Sequence, residues 1–173
     1  MNDTVAQLIV CGNSDRRDDG AALRAVSRLL PTLSDEGRRW VEVTRCGQLD
    51  VEHLLDIPAD VPVVIVDSAV GVPAGHVVSV PLDDLIDHPR GPAPRSSHAL
   101  PINQVLGIRN VLSDAPLRGL FVGVGGVDFG FGDDLSAPVH TALPDFITAI
   151  DAAIDEVTRP LERPPVREPV HVP

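Results

Sequence analysis

Asp19, Asp67 and His98 are the side chains of this sequence best suited to act together. Asp19 lies in Gly12-Asn13-Ser14-Asp15-Arg16-Arg17-Asp18-Asp19-Gly20, between the apolar run Ala6–Cys11 and a helical pattern that starts near Gly20. Asp67 ends Pro62-Val63-Val64-Ile65-Val66-Asp67, an apolar, β-branched run that suits a strand covered on both faces. Open α/β sheets place their ligands outside the carboxyl ends of the strands. With the common flavodoxin-like order 2-1-3, the first and third strands are neighbours, and both carboxylates share one crevice. Close carboxylates repel, and a divalent cation relieves the conflict by neutralising both. His98 supplies an imidazole, and two oxygens with one nitrogen suit first-row metals such as Ni, Zn or Mn.

Each residue also has a plainer use. Asp18 or Asp19 could cap the following helix, an effect worth about 0.3–1 kcal/mol on the helix dipole. Asp67 could satisfy turn amides at a strand end, and His98 is one of six histidines. Cys11 is a weak nucleophile candidate, because an apolar strand disfavours the thiolate. Asp83-Asp84 and Asp133-Asp134 read as solvated helix caps. The glycines from Gly119 to Gly132 do not form the G-x-G-x-x-G cradle that opens a nucleotide-binding helix, so no organic cofactor is expected.

The elements that must position these residues alternate between strand and helix. The strand Ala6–Cys11 leads to a helix over 20–30, with Leu23, Val26 and Leu30 at helical spacing before Pro31. A half-buried strand is predicted over 40–45, a short helix over 50–55, and the buried strand ending at Asp67 follows. The brief loop containing Gly71, Pro73 and Gly75 predicts that the strand over 76–80 lies antiparallel beside its predecessor. Pro89 to Pro94 marks an irregular loop, followed by a helix over Ile102–Leu112 and a last apolar strand over 120–124. A glycine-rich loop over 125–134 then leads to a helix over 143–157, with Phe146, Ile150 and Ile154 on one stripe. The expected architecture is α/β: a three-layer twisted mixed sheet of about five strands, helices on both faces and one antiparallel strand. Residues 1–158 read as one domain, and 159–173 as a Pro-rich tail too poor in packing residues to order itself.

Composition excludes several functions. A formal charge of -11 over 173 residues argues against nucleic acid and anionic membrane as partners, since both require a basic face. The 14 basic residues counted as Lys+Arg are all Arg and Tyr is absent, which rules out a P-loop lysine, a Schiff-base lysine and a tyrosine acid. Cys11 and Cys46 stand 35 positions apart with no metal-type spacing, and read as free thiols in a reducing compartment. The short acidic amino terminus carries no basic leader and no apolar span, so a cytoplasmic protein is expected.

The stretch Val10 to Gly20, a strand end followed by a G-N-x-x-x-x-D-D-G turn, the Val63 to Asp67 run, Ser97-His98-x-Leu100, Val105-Leu106 and the Leu120 to Gly125 strand together resemble the nickel-iron hydrogenase maturation endopeptidases. The likeness covers most of residues 5 to 157. It implies a twisted α/β sheet and removal of a C-terminal peptide from a hydrogenase large-subunit precursor once nickel is installed. It also implies that Asp19, Asp67 and His98 are the metal-contacting, catalytic set, with nickel supplied by the substrate. Two positions depart from the family pattern: Ala22 stands where a second glycine is common, and Pro101 follows Leu100.

Overall fold

The computed structural model describes residues 6–34, 38, 40–87, 100–113 and 115–159. His98, the Pro89 to Pro94 stretch and the tail beyond residue 159 lie outside the described residues. Strands β1 (Ala6–Cys11), β2 (Val41–Cys46), β3 (Val63–Ala69), β4 (Val77–Pro81) and β5 (Gly119–Gly125) form one sheet in the order β2-β1-β3-β5-β4. β2, β1, β3 and β5 are parallel, and β4 alone runs antiparallel. The mixed α/β sheet expected from the sequence is therefore the one observed.

One neighbour differs from expectation. β4 is antiparallel, but it pairs with β5, with Val77 opposite Val124 and Pro81 opposite Leu120, and not with β3. The reason lies in burial. β3 is covered on both faces, with Val63, Val64, Ile65 and Val66 at most 1% exposed, and β5 is similarly apolar and buried. Both belong inside the sheet. β4 is only half-buried and ends in a proline, which suits an edge position.

Alternation along the strands sorts side chains into two cores. Leu8, Val10, Val64, Val66, Val122 and Val124 face α1 (Ala21–Leu29) and the long carboxyl-terminal helix, where Val26, Phe146 and Ile150 meet them. Ile9, Cys11, Ile65 and Phe121 face the opposite layer: α2 (Glu52–Leu55), α3 (Leu82–Asp87) and α4 (Ile102–Leu112), which contribute Leu54, Leu82 and Leu106. Burying a side chain of this size stabilises the fold by about 1.5–3 kcal/mol, so these two layers hold the strand ends in register.

The carboxyl-terminal helix, α5 (Ala137–Thr158), starts six residues before the periodicity alone suggests. Pro138 sits at its start, where a missing N–H is harmless, and Pro144 lies inside it. α4 starts at Ile102, immediately after Pro101.

Arg109 of α4 is only 2% exposed. Its guanidinium donates to the carbonyls of Leu54 at 3.4 Å, Ile57 at 3.1 Å and Ala115 at 2.5 Å, tying α4 to the end of α2 and to the approach to β5. Arg109→Ala removes these donors and leaves a void, and should cost about 3–5 kcal/mol. Urea denaturation checks this, and an unchanged midpoint would show the carbonyl contacts to be energetically idle.

Candidate functional site

β1 ends at Cys11 and the chain turns sharply at Gly12, whose φ of +138° disfavours any side chain. A Cβ at Gly12 would also collide with the carbonyl oxygen of Asp19, so the returning chain passes directly over the strand end. Asn13 stiffens the turn: its Oδ1 accepts the Asp15 N–H at 2.9 Å. A single 3₁₀ turn, Arg17–Gly20, then leads into α1 and packs against β3.

The adjacent carboxylates in that turn have different tasks. Asp18 caps no helix, and the residues that precede the 3₁₀ turn and α1, Arg16 and Gly20, make no side-chain cap bond. Asp18 is fully buried and reaches across to the loop after β5. Its carboxylate accepts the backbone N–H groups of Val127 at 2.9 Å, Asp128 at 2.8 Å and Ser136 at 2.7 Å, with the Ser136 hydroxyl at 2.8 Å. Asp19 is 7% exposed and stays beside Gly12, with Oδ1 3.6 Å from the place a Gly12 Cβ would occupy.

A second clasp holds the same two loops together, and the sequence gives little sign of it. Arg17 donates its backbone N–H to Gly132 at 2.8 Å and pairs with Asp128 at 2.6 Å. The Gly132 N–H returns to Asp15 at 3.0 Å, and the Arg16 guanidinium lies 4.7 Å from the centre of the Phe131 ring. The Gly130 N–H, and then Arg17, hold the Asp128 carboxyl below its usual range. Adjacent acids were the available clue to this division of labour, because neighbouring residues in a tight turn cannot both face one cleft.

Asp67 lies near the carboxyl end of β3, opposite Gly123 of β5, which puts no side chain beside it. Its Oδ1 accepts the Ser68 N–H at 2.7 Å. The residue keeps some contact with solvent, yet crowding around the carboxyl pushes its pKa from 3.8 up to about 8; the negative charge available to Cys46 adds to this, and the Ser68 bond opposes it. β1 pairs with β3 through Val10 and Val66, so the next step of the register sets Cys11 beside Asp67. Cys11 is in turn partnered with Cys46 of β2, and their hydrogen bond holds the Cys46 thiol below its usual range.

The structure therefore sets Asp19 and Asp67 at the carboxyl edge of neighbouring strands, as the 2-1-3 order requires. His98 falls outside the described residues, although α4, which it precedes, is in place on the face of the sheet that carries Ile9, Ile65 and Phe121. Among the described residues no three His, Cys, Asp or Glu side chains are grouped to hold a metal. Asp83, Asp84, Asp133 and Asp134 are exposed; the first two lie in the first turn of α3, and the others precede α5 without capping it. A carboxyl held protonated up to about pH 8, as Asp67 is, can exchange protons or, once ionised, bind a cation.

The three-layer fold has solved counterparts. No protein-family model and no curated protein sequence matches the chain; the likeness is carried by structure. The hydrogenase maturating endopeptidase HybD from E. coli superposes with a TM-score of 0.70 at 21% identity, over 87% of this chain and 92% of that one. The [NiFe] hydrogenase maturation protease HybD from Thermococcus kodakarensis gives 0.63 at 21% identity, over 86% and 98%. The maturation protease HycI from the same organism gives 0.60 at 18% identity, over 87% and 93%. The chain thus has the fold of the hydrogenase maturation proteases. Among the described residues no helix is long and apolar enough to cross a membrane.

Proposed function

We propose that this chain is a cytoplasmic processing endopeptidase that removes the C-terminal extension of a nickel-iron hydrogenase large-subunit precursor after nickel insertion. The observation that carries this reading is the occurrence of Asp19 and Asp67 at the carboxyl ends of the paired strands β1 and β3 in a fold shared with maturation proteases. Asp19, Asp67 and His98 contact the nickel carried by the precursor, which is cargo of the substrate and not a resident cofactor. Two carboxylate oxygens and an imidazole nitrogen are suitable donors for such a borderline cation. Gly12 fixes the turn that presents Asp19, and the Asp18 knot fixes the loop that flanks it.

The chemistry follows from that arrangement. A polarising cation near the scissile carbonyl favours attack by water, and a carboxylate at the same edge can accept the proton that water releases. Cleavage depends on nickel because the ligand set is completed only when the cargo is present.

The test is incubation of nickel-loaded precursor with the protein, followed by intact-mass analysis of the large subunit. The expected products are a shortened chain and one released peptide, with no turnover of nickel-free precursor. Asp19→Asn, Asp67→Asn and His98→Ala should each suppress the shortened product. Undiminished cleavage by all three would remove the proposed site. Stable binding without cleavage would instead make the chain an accessory protein, and turnover of simple ester or amide substrates without any precursor would make it a different hydrolase.

A further inference from the structure

Cys11 and Cys46 close β1 and β2, lie directly opposite each other in the parallel pair, and bring their sulfurs within 3.4 Å. Neighbouring strands lie about 4.7–4.9 Å apart, inside the Cα separation of about 4.4–6.8 Å that a disulfide accepts. Only the sulfurs must approach further, from 3.4 Å to about 2.05 Å. Both cysteines are terminal in their strands and each is followed by glycine, Gly12 or Gly47, so the adjustment falls where the ladder ends. At Gly47 the backbone has open space around it.

Access is unequal. Cys11 is buried and Cys46 is half-buried, so a small reagent reaches Cys46 first and finds the second thiol already in contact behind it. We propose that Cys11 and Cys46 form an oxidisable dithiol that closes to an intramolecular disulfide when a hydroperoxide reaches Cys46. The Cys46 sulfur attacks the peroxide, the O–O bond breaks, and for hydrogen peroxide one water leaves with the thiol proton, giving a sulfenic acid. The Cys11 sulfur then displaces the sulfenic oxygen, which departs as a second water with the Cys11 proton. Two electrons from the two thiols have reduced one peroxide, and a dithiol reductant reverses the bond. Cys11 lies one step beyond Val10, the last residue of β1 paired with β3, so the bond forms at the carboxyl edge of the sheet, where Asp67 also lies. The thiol pair is independent of what the cleft cleaves.

The chain has only these two cysteines, which makes the test a simple count. The full-length protein is reduced, freed of reductant, treated with a small excess of hydrogen peroxide, denatured and alkylated before intact-mass and peptide mapping. Untreated protein should take two alkyl groups. Oxidised protein should take none, weigh about 2 Da less through loss of two hydrogens, yield a linked Cys11–Cys46 peptide, and regain both sites on reduction. Cys46→Ser, altered at the half-buried position, should keep Cys11 alkylatable after the same treatment. Retention of both thiols in the oxidised wild type, oxygen addition to Cys46 without linkage, or a disulfide between two chains would each overturn the proposal.

Discussion

Asp67→Asn should make the protein more stable while ending the proposed processing activity, and the stability gain should widen as pH rises. The folded carboxyl takes up its proton near pH 8, whereas the unfolded chain releases it at the ordinary value of 3.8. Between those values the folded state holds more protons than the unfolded state, so the wild type loses stability with increasing pH, at about 1.4 kcal/mol per unit. Below the unfolded value both states are protonated and the residue makes no difference. Above about 8 both are ionised and the penalty is constant. An asparagine keeps an oxygen for the Ser68 N–H and carries no charge to desolvate, so the variant should lack this residue's share of the slope across the window. Melting curves of metal-free protein from pH 5 to 8 measure the effect, at roughly 2–4 °C for each kcal/mol in a domain of this size. Parallel profiles for the two proteins would mean that burial does not burden this carboxyl. A group that destabilises its own fold is the type retained for function.

Asp18→Ala should have the opposite character, destabilising the fold without touching the proposed ligands. The carboxylate is fully buried and receives three backbone N–H groups and one hydroxyl. Removing it strands all four donors where water has little access, a loss on the order of 3–5 kcal/mol. Asp18→Asn retains acceptor capacity at one oxygen but turns an N–H₂ toward the donors, so it should fall between alanine and wild type. Urea midpoints give the order, and limited proteolysis should nick the loop between Gly126 and Ser136 sooner in the alanine variant. Equal midpoints for all three would show the knot to be unimportant.

The fold was largely legible because its central strands are extreme. Val63 to Val66 form an uninterrupted β-branched run that is buried throughout; the helix after β1 was legible in its period, although its buried face is Ala21, Ala22, Ala25, Val26 and Leu29, with Leu23 and Leu30 only half-buried. The neighbour of β4 was not legible, because a seven-residue connection from Val70 to His76 permits either a hairpin or a step over one strand. Relative burial of the strands decides between them, and only the assembled sheet expresses it. The start of α5 was hidden by Pro138 and Pro144, which read as breakers but are tolerated at a first turn or where packing compensates.

Within the site, residue type indicated Asp19 and Asp67, but not which of two adjacent acids turns inward. Asp18 looks like any helix cap in sequence, and its partners lie more than a hundred residues away. The contact of Cys11 with Cys46 is equally silent, since it depends on the register of two strands.

The Asp18 knot makes the stretch between the close of β1 and the start of α1 a ruler. Gly12 anchors one end and the carboxylate seated under Ser136 anchors the other, so Asp19 is set down at a fixed step beyond both. Deleting a single amino acid there would carry Asp19 into the place under Ser136 and leave Gly20 at the strand edge, while inserting one would put Arg17 under Ser136, where a guanidinium cannot accept the four donors. Point changes at Ser14 or Asp15 should be absorbed; a change of length should not.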